Sequence, residues 1–183
     1  FDVSVEECIK RDLKRMNSVG KDVITKMYRD FLQKPVAPLI QDETLPSACI
    51  CDLDGTLCKM NDKRGPFEFD KVDLDDPNQP VIDLVRMTAN DKCEKTEIIF
   101  MSGRDSSCRE KTVQWLKNHY SLPYQLFMRK AGDQRKDSVV KKELFDEHIR
   151  DKFFVRWVLD DRDSVVKLWR NDIGLPCFQV DYG

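Results

Sequence analysis

The stretch that most constrains the fold runs from residue 48 to residue 57 and reads Ala-Cys-Ile-Cys-Asp-Leu-Asp-Gly-Thr-Leu. Its apolar first half predicts a short buried strand, which ends in two carboxylates spaced i, i+2, Asp52 and Asp54. Gly55 then permits a turn, within which Thr56 can cap or hydrogen-bond. Ligands of open α/β sheets bind outside the carboxyl ends of the strands, so this pair is placed where a ligand would lie.

Two carboxylates at one strand end support two kinds of chemistry. Their hard oxygen atoms suit a divalent cation such as Mg²⁺. They can also divide into a nucleophile and a general acid and base. An ordinary Asp-rich turn is the alternative, and it is the commoner explanation of an isolated Asp-x-Asp. The interpretation therefore depends on whether related motifs follow other strands.

The composition predicts a soluble globular protein. The chain has 183 residues, of which 40% are hydrophobic and 35% charged, and it shows neither a membrane-length apolar run nor a signal peptide. A net charge of −2 argues against general attraction to nucleic acid but leaves room for a local basic groove, for which residues 59–64 and 129–142 are candidates. Seven cysteines without metal-site spacing predict unpaired thiols in a reducing, cytoplasmic setting. The chain begins at Phe1 and is expected to be a fragment of a longer protein.

Three segments are predicted along the chain. Residues 1–32 carry two helices, one capped by Ser4 and running to about Met16, the other from Val23 to Leu32. Residues 33–47 contain three prolines and are typical of a linker. Residues 48–183 alternate strand and helix patterns, which predicts an α/β domain with a mostly parallel sheet covered by helices on both faces.

Further chemistry is predicted at the ends of other strands. Ser102-Gly103-Arg104 follows an apolar run and offers a hydroxyl, a flexible backbone and a guanidinium, which together make a phosphate-sized cradle. Asp160 and Asp161 leave another apolar run, and adjacent acids repel each other unless a cation lies between them.

Asp137 and Lys141 are spaced i, i+4 on a predicted helix. They can form an intrahelical pair worth only about 0.2–0.5 kcal/mol, so the spacing alone does not separate a structural role from a functional one.

These motifs, in this order, resemble those of the haloacid dehalogenase superfamily of Mg²⁺-dependent phosphohydrolases. The resemblance implies a Rossmann-like fold in which Asp52 is the nucleophile and Asp54 the general acid and base. It implies that Ser102 holds the phosphoryl group and that Lys141, oriented by Asp137, steadies the nucleophile. The Mg²⁺ ligands would be Asp52, the backbone carbonyl of Asp54, and the pair Asp160 and Asp161, of which Asp161 is favoured as the direct ligand.

The region after the first motif, 58–77, is polar and too short to form a cap domain, which favours an open site for a polymer end. Residues 48–180 are most similar to the phosphatase half of phage-type polynucleotide 5′-kinase/3′-phosphatase. That resemblance implies removal of 3′-phosphate from RNA or DNA ends in nucleic-acid repair, with substrate-binding residues Arg64, Gly103, Arg104, Arg129 and Asp137. Arg64 stands one residue later than in the family pattern, and the stretch after Arg104 is shorter.

Residues 2–28 look like the closing part of a P-loop kinase domain, including its lid helix. The resemblance makes Arg11 and Arg15 candidate contacts for nucleotide phosphates. This chain has no Gly-x-x-x-x-Gly-Lys-Ser/Thr phosphate cradle, so a kinase would need residues outside it. An ordinary helical hairpin is the alternative.

Two other functions stay open at this point. One is a phosphatase of the same superfamily that acts on nucleotides or other small phosphomonoesters. The other is a non-catalytic module of that fold which tethers a kinase. The sequence leaves the oligomeric state open, a homo-oligomer included, as well as the choice between RNA and DNA.

Overall fold

The computed structural model describes residues 3–32 and 37–180. They divide into two compact units, with the boundary between residues 36 and 37. Residues 33–36 of the predicted linker lie outside the described residues. None of the described helices combines the length and apolar character that crossing a membrane requires. The seven cysteines are free thiols.

The first unit contains helices α1 (Val5–Asp12) and α2 (Lys21–Met27), the second of which continues into a π-helical turn, Tyr28–Leu32. The Ser4 side chain caps α1 by accepting a hydrogen bond from the Glu7 amide. The prediction that this helix reaches Met16 is wrong, because the Asp12 carboxylate accepts hydrogen bonds from the Ser18 hydroxyl at 2.7 Å and the Gly20 amide at 3.0 Å. These bonds close a turn after Asp12.

The second unit contains the remaining elements. Its strands are β1 (Ser47–Cys51), β2 (Cys58–Lys59), β3 (Asp76–Pro77), β4 (Glu97–Asp105), β5 (Gln125–Arg129), β6 (Phe154–Asp160) and β7 (Cys177–Gln179). Its helices are α3 (Gln79–Ala89), α4 (Arg109–His119), α5 (Asp137–His148) and α6 (Asp163–Lys167), with 3₁₀ turns at Phe69–Leu74 and Ser106–Cys108 and a π-helical turn at Leu168–Ile173.

Among the described residues, five strands form one parallel sheet in the order β5-β4-β1-β6-β7. Cys51 in β1 lies opposite Phe100 in β4 and Leu159 in β6, so β1 and β6 end at the same level and β4 continues past them to Asp105. The sheet carries helices on both faces, and the predicted α/β, Rossmann-like fold is confirmed.

The two faces of β1 explain this layering. Cys49 and Cys51 pack into one apolar core with residues of α3 and α4, whereas Ala48 and Ile50 pack into the other with residues of α5 and α6. Successive side chains of a strand point to opposite faces, so a strand that is apolar at every position is buried on both sides.

Residues 37–46, within the predicted linker, belong to the second unit. The Leu39 amide donates to the Gly174 carbonyl at 2.9 Å, and the Gln41 side chain exchanges two hydrogen bonds with the Val155 backbone. The region 58–77 forms the small antiparallel pair β2–β3 and one 3₁₀ turn, which agrees with the expected minimal cap.

We expect Leu116→Ala to lower the free energy of unfolding by about 2–5 kcal/mol, because Leu116 of α4 is fully buried against the sheet and its truncation leaves a cavity. Leu84→Ala on α3 is the matched control. Leu84 is 45% exposed, so its truncation should cost well under half as much. Urea unfolding would measure both variants, and equal losses would contradict the assigned packing.

Candidate active site

Two strand ends and one helix bring four charged side chains together. Asp52 follows β1, Asp160 and Asp161 end or follow β6, and Lys141 extends from α5. Lys141 Nζ donates to Asp52 Oδ1 at 2.7 Å and to Asp160 Oδ2 at 2.8 Å. Lys141 is 1% exposed and Asp52 5%, so this bridge is almost fully removed from water.

The three carboxylates are mutually close. Oxygen atoms of Asp52, Asp160 and Asp161 lie within 4.8 Å of one another. Asp160 also accepts hydrogen bonds from the Trp169 indole at 3.2 Å and the Arg162 amide at 3.3 Å, and Asp161 accepts one from the Thr56 hydroxyl at 3.1 Å. We call Asp52, Lys141, Asp160 and Asp161 the carboxylate–lysine cluster.

The protonation equilibria of this cluster follow from burial and from its charges. Burial raises the pKa of the Asp52 carboxyl well above its usual range, although the Lys141 ammonium lowers it. Burial also raises the pKa of Asp161, and the Asp160 carboxylate adds to that rise. Burial by itself would lower the pKa of Lys141, but the Asp160 and Asp52 carboxylates hold it well above its usual value.

One ammonium balances only one of these three carboxylates. Two negative charges therefore remain unbalanced when all three are ionised, and a divalent cation would neutralise them. The oxygen-only donor set and the spacing of the carboxylates fit Mg²⁺. The site contains a second acidic group, around Asp54, in which the described charges leave no such excess of negative charge.

That second group is built around Asp54 and joins two arginines to two carboxylates. Arg104 donates to Asp54 through Nε and Nη2, both at 2.9 Å, and Arg64 Nη2 also donates to Asp54. Asp75 accepts from Arg64 at 2.7 Å and from Arg104 at 2.6 Å. We call Asp54, Arg64, Arg104 and Asp75 the arginine clamp, whose charges balance.

The clamp sets the resting state of Asp54. Burial raises the pKa of Asp54, but the charges of Arg104 and then Arg64 outweigh it, so the pKa lies below the usual value. Asp54 is therefore ionised at rest, which is the form of a general base.

The remaining predicted site residues lie beside these two groups. Ser102 is fully buried in β4, where its hydroxyl accepts a hydrogen bond from the Arg104 amide at 3.2 Å. Arg129 donates to the Gly103 carbonyl at 2.7 Å and to Asp137 at 3.2 Å. A side chain on Gly103 would place its Cβ 2.9 Å from Asp137 Cγ, so any other residue at this position would displace the Asp137 carboxylate.

The structure adds detail to the expected role of Asp137. Its Oδ2 lies 3.8 Å from Lys141 Nζ, too far for a hydrogen bond, whereas Asp52 and Asp160 both accept from that ammonium. Asp137 places a negative charge near Lys141, and the hydrogen bonds that the ammonium donates to Asp52 and Asp160 fix the direction of the Lys141 side chain. In the first unit, the predicted lid residue Arg11 pairs with Glu7 at 2.8 Å, and Arg15 lies 4.0 Å from Asp12.

Two structurally important residues were missed by the sequence analysis. Asp75 lies in an acid-rich stretch with Asp70, Asp73 and Asp76, and nothing in that pattern distinguishes the buried acid from its exposed neighbours. Trp169, whose indole orients Asp160, follows an apolar helical pattern that indicates core packing. Neither residue carries a local signal of its contacts.

A cavity of about 1120 Å³ opens onto both groups. It is lined by Asp52, Asp54 and Asp161 among the acids and by Arg64, Arg104 and Arg129 among the cations. Residues 59–69 of the β2–β3 region and residues 132–137 before and at the start of α5 complete much of its lining.

Comparisons with known proteins identify the family of this chain. The family model of the polynucleotide kinase PNKP phosphatase domain matches residues 46–183, and the chain belongs to that family. A protein of Autographa californica nuclear polyhedrosis virus, provisionally named bifunctional polynucleotide kinase/RNA ligase, is 36% identical over 184 residues. That alignment covers 96% of this chain and 26% of the viral protein.

Two structures of the Pnkp1/Rnl/Hen1 RNA repair complex contain a similar chain. In each, the TM-score is 0.74 and the identity 40%, and all of this chain is covered, against 64% and 62% of the chains in those complexes. This chain thus spans about a quarter of the viral relative and less than two thirds of the chains in those complexes.

We expect Asp75→Asn to lower the free energy of unfolding by about 3–5 kcal/mol, because it leaves two buried guanidiniums with one carboxylate. Asp73→Asn is the control, since Asp73 is 46% exposed and its pair with Lys111 is a surface ion pair worth under about 1 kcal/mol. Chemical unfolding would measure both variants. A loss for Asp75→Asn no larger than that of the control would contradict the clamp.

Proposed function

We propose that this chain is a Mg²⁺-dependent polynucleotide 3′-phosphatase that removes the terminal 3′-phosphate from RNA or DNA ends during nucleic-acid repair. The observation that carries the proposal is the carboxylate–lysine cluster at the aligned strand ends, in a chain that belongs to the phosphatase-domain family. The cavity of about 1120 Å³ has room for the terminal nucleotide of a polymer.

Asp52 is proposed as the nucleophile. Lys141 holds its Oδ1, while Oδ2 has no hydrogen-bond partner within residues 3–32 and 37–180, and the residue lines the cavity. Oδ2 attacks the phosphorus atom, the bond to the 3′-oxygen breaks, and an aspartyl-phosphate forms. Water then attacks the same phosphorus atom, which releases inorganic phosphate and restores the carboxylate.

Asp52, the Asp54 carbonyl, Asp160 and Asp161 are proposed to hold Mg²⁺. When bound, this cation would offset negative charge on the phosphoryl oxygens. Lys141 adds a fixed positive charge beside the nucleophile, and the hydroxyl of Ser102, in the adjacent strand β4, is proposed to donate to a phosphoryl oxygen. Arg129 and the Gly103 backbone are proposed to bind the substrate phosphate with them.

Asp54 is proposed to protonate the departing 3′-oxygen and then to activate the water. The arginine clamp holds it as a carboxylate at rest, so it needs a proton before it can act as an acid. A phosphate dianion attracts the Arg64 and Arg104 guanidiniums, and this competition weakens the contacts that keep the pKa of Asp54 low. Substrate binding would in this way prepare the acid.

A kinase domain is proposed to lie elsewhere in the full-length protein, with residues 1–32 as its closing segment. The length of the relatives and the name of the viral relative support this proposal. Arg11 and Arg15 are the proposed nucleotide contacts within that segment.

We expect Asp52→Asn to abolish phosphate release from a 3′-phosphorylated oligonucleotide, with a rate loss on the order of 10³-fold or more, because a neutral amide cannot form the intermediate. Asp151→Asn is the control, since Asp151 is exposed in the turn before β6, at the opposite end of the sheet. Full turnover by Asp52→Asn would contradict the covalent mechanism. Turnover of small phosphates without turnover of the oligonucleotide would instead favour the small-phosphomonoester phosphatase.

We also expect saturating Mg²⁺ to raise the melting temperature of the chain. Binding at 100 times the dissociation constant stabilises a fold by about 2.7 kcal/mol, which corresponds to several degrees for a chain of this size. Asp161→Asn should remove most of this shift without lowering the metal-free melting temperature, because it also removes a repulsive charge. Asp151→Asn should retain the shift, and an unchanged shift in Asp161→Asn would contradict the proposed ligand set.

A further inference from the structure

Phe67 is an exposed aromatic residue at the candidate active site. It is 85% exposed, although a phenylalanine ring gains free energy from burial, and it lines the cavity that contains Asp52. Met60, Pro66 and Phe69 line the same cavity from the same β2–β3 region. We call these four residues the apolar wall.

The local structure holds Phe67 in this exposed position. The Glu68 carboxylate accepts a hydrogen bond from the Gly65 amide at 2.6 Å, the Glu68 amide donates to the Gly65 carbonyl, and Lys71 pairs with Glu68 at 2.7 Å. Phe69 packs against the core beneath, and its ring meets that of Phe67 edge to face with centroids 6.5 Å apart. The ring of Phe67 thus contacts Phe69 and is otherwise largely open to solvent.

The apolar wall lies near the reacting groups. Arg64 is a member of the arginine clamp and contacts Asp54, and Phe67 follows it by three residues. Three residues span at most about 11 Å, which limits the distance between the two Cα atoms. A phosphate at the cluster would therefore have the nucleoside that carries it within reach of Phe67.

The rest of the cavity lining is polar and includes two cations without ion-pair partners. In the part of the chain that the structure describes, the ammonium groups of Lys59 and Lys136 form no ion pair. The arginines that line the cavity each form one, and they are Arg64, Arg104, Arg129, Arg135 and Arg162. Lys59 lies in β2, and Lys136 immediately precedes α5. The cavity therefore combines an apolar wall with two lysines that form no ion pair among the described residues.

We propose that Phe67 stacks on a nucleobase at the 3′ end of a single-stranded nucleic acid, with Lys59 and Lys136 contacting the phosphodiesters beside it. This inference deepens the proposed function and rests on it. Grooves for single strands combine aromatic platforms with basic side chains, because every base has a face that can stack and every linkage carries a negative charge. A paired end would have to unstack its terminal base first, so the site favours single-stranded ends.

Fluorescence would test this contact without turnover. The probe is a 3′-phosphorylated single-stranded oligonucleotide whose terminal base is 2-aminopurine, a base whose fluorescence is quenched on stacking, and Asp52→Asn prevents hydrolysis. In that background we expect the chain to quench the fluorescence of the probe strongly. Adding Phe67→Ala should abolish the quenching and weaken binding of the probe about tenfold, whereas Phe67→Tyr should retain both the quenching and the affinity. Phe178→Ala is the matched control, because Phe178 is an exposed phenylalanine of β7 outside the cavity.

Equal quenching by Phe67→Ala and its parent would overturn the proposal, as would failure of the parent to bind the probe. A kinetic comparison supplies a second readout. The unsubstituted chain should prefer a terminal nucleotide with a base over an abasic one by about tenfold in kcat/KM, and Phe67→Ala should lose this preference while it turns over the abasic substrate normally. If Phe67→Ala lost kcat/KM equally on the substrates with and without a terminal base, Phe67 would have only a structural role, and the stacking contact would be overturned.

The two experiments separate this inference from the proposed function. Quenching that depends on Phe67, in a chain that releases no phosphate from any oligonucleotide, would support the stacking site and contradict the phosphatase assignment. Phosphate release with no preference for a terminal base would support the phosphatase assignment and overturn the stacking site.

Discussion

The double hydrogen bond of Lys141 to Asp52 and Asp160 is the interaction on which the rest of the site depends. It joins the ends of β1 and β6 to α5, so three elements from distant parts of the chain converge on one ammonium group. The parallel sheet makes this convergence possible, since its register aligns the carboxyl ends of the strands. Burial then makes the bridge sensitive to the loss of any partner, because an unpaired buried charge costs several kcal/mol.

Charge balance distinguishes the two acidic groups of the site. The arginine clamp pairs two guanidiniums with Asp54 and Asp75 and is neutral, so it is complete without a further ion. The carboxylate–lysine cluster keeps two unbalanced negative charges, and a group of this kind can accept a divalent cation. One end of the sheet thus holds a network of paired charges beside an acidic cluster with excess negative charge, and the two groups line one cavity.

Much of the fold and part of the site could be predicted from the sequence, because their signals are local. The apolar run before Asp52 indicates a buried strand, and the i, i+4 spacing of Asp137 and Lys141 is that of one helix face. The predicted α/β fold was confirmed. The partners of Asp75, in contrast, lie 11 and 29 positions away and are brought to it only by folding. The early end of α1 at Asp12 has a similar cause, since it depends on contacts with a turn and not on helix propensity. The catalytic and binding roles stay predictions.

The most direct test of the central claim is to detect the covalent intermediate on Asp52. The chain would be mixed with 3′-phosphorylated oligonucleotide and Mg²⁺, quenched rapidly in acid, and digested for mass spectrometry. The proposed mechanism predicts that the peptide containing Asp52 gains the mass of one phosphoryl group early in the reaction, and that Asp52→Asn shows no such gain. Rapid release of phosphate with no phosphorylated Asp52 at any time, or with the group on another residue, would contradict it.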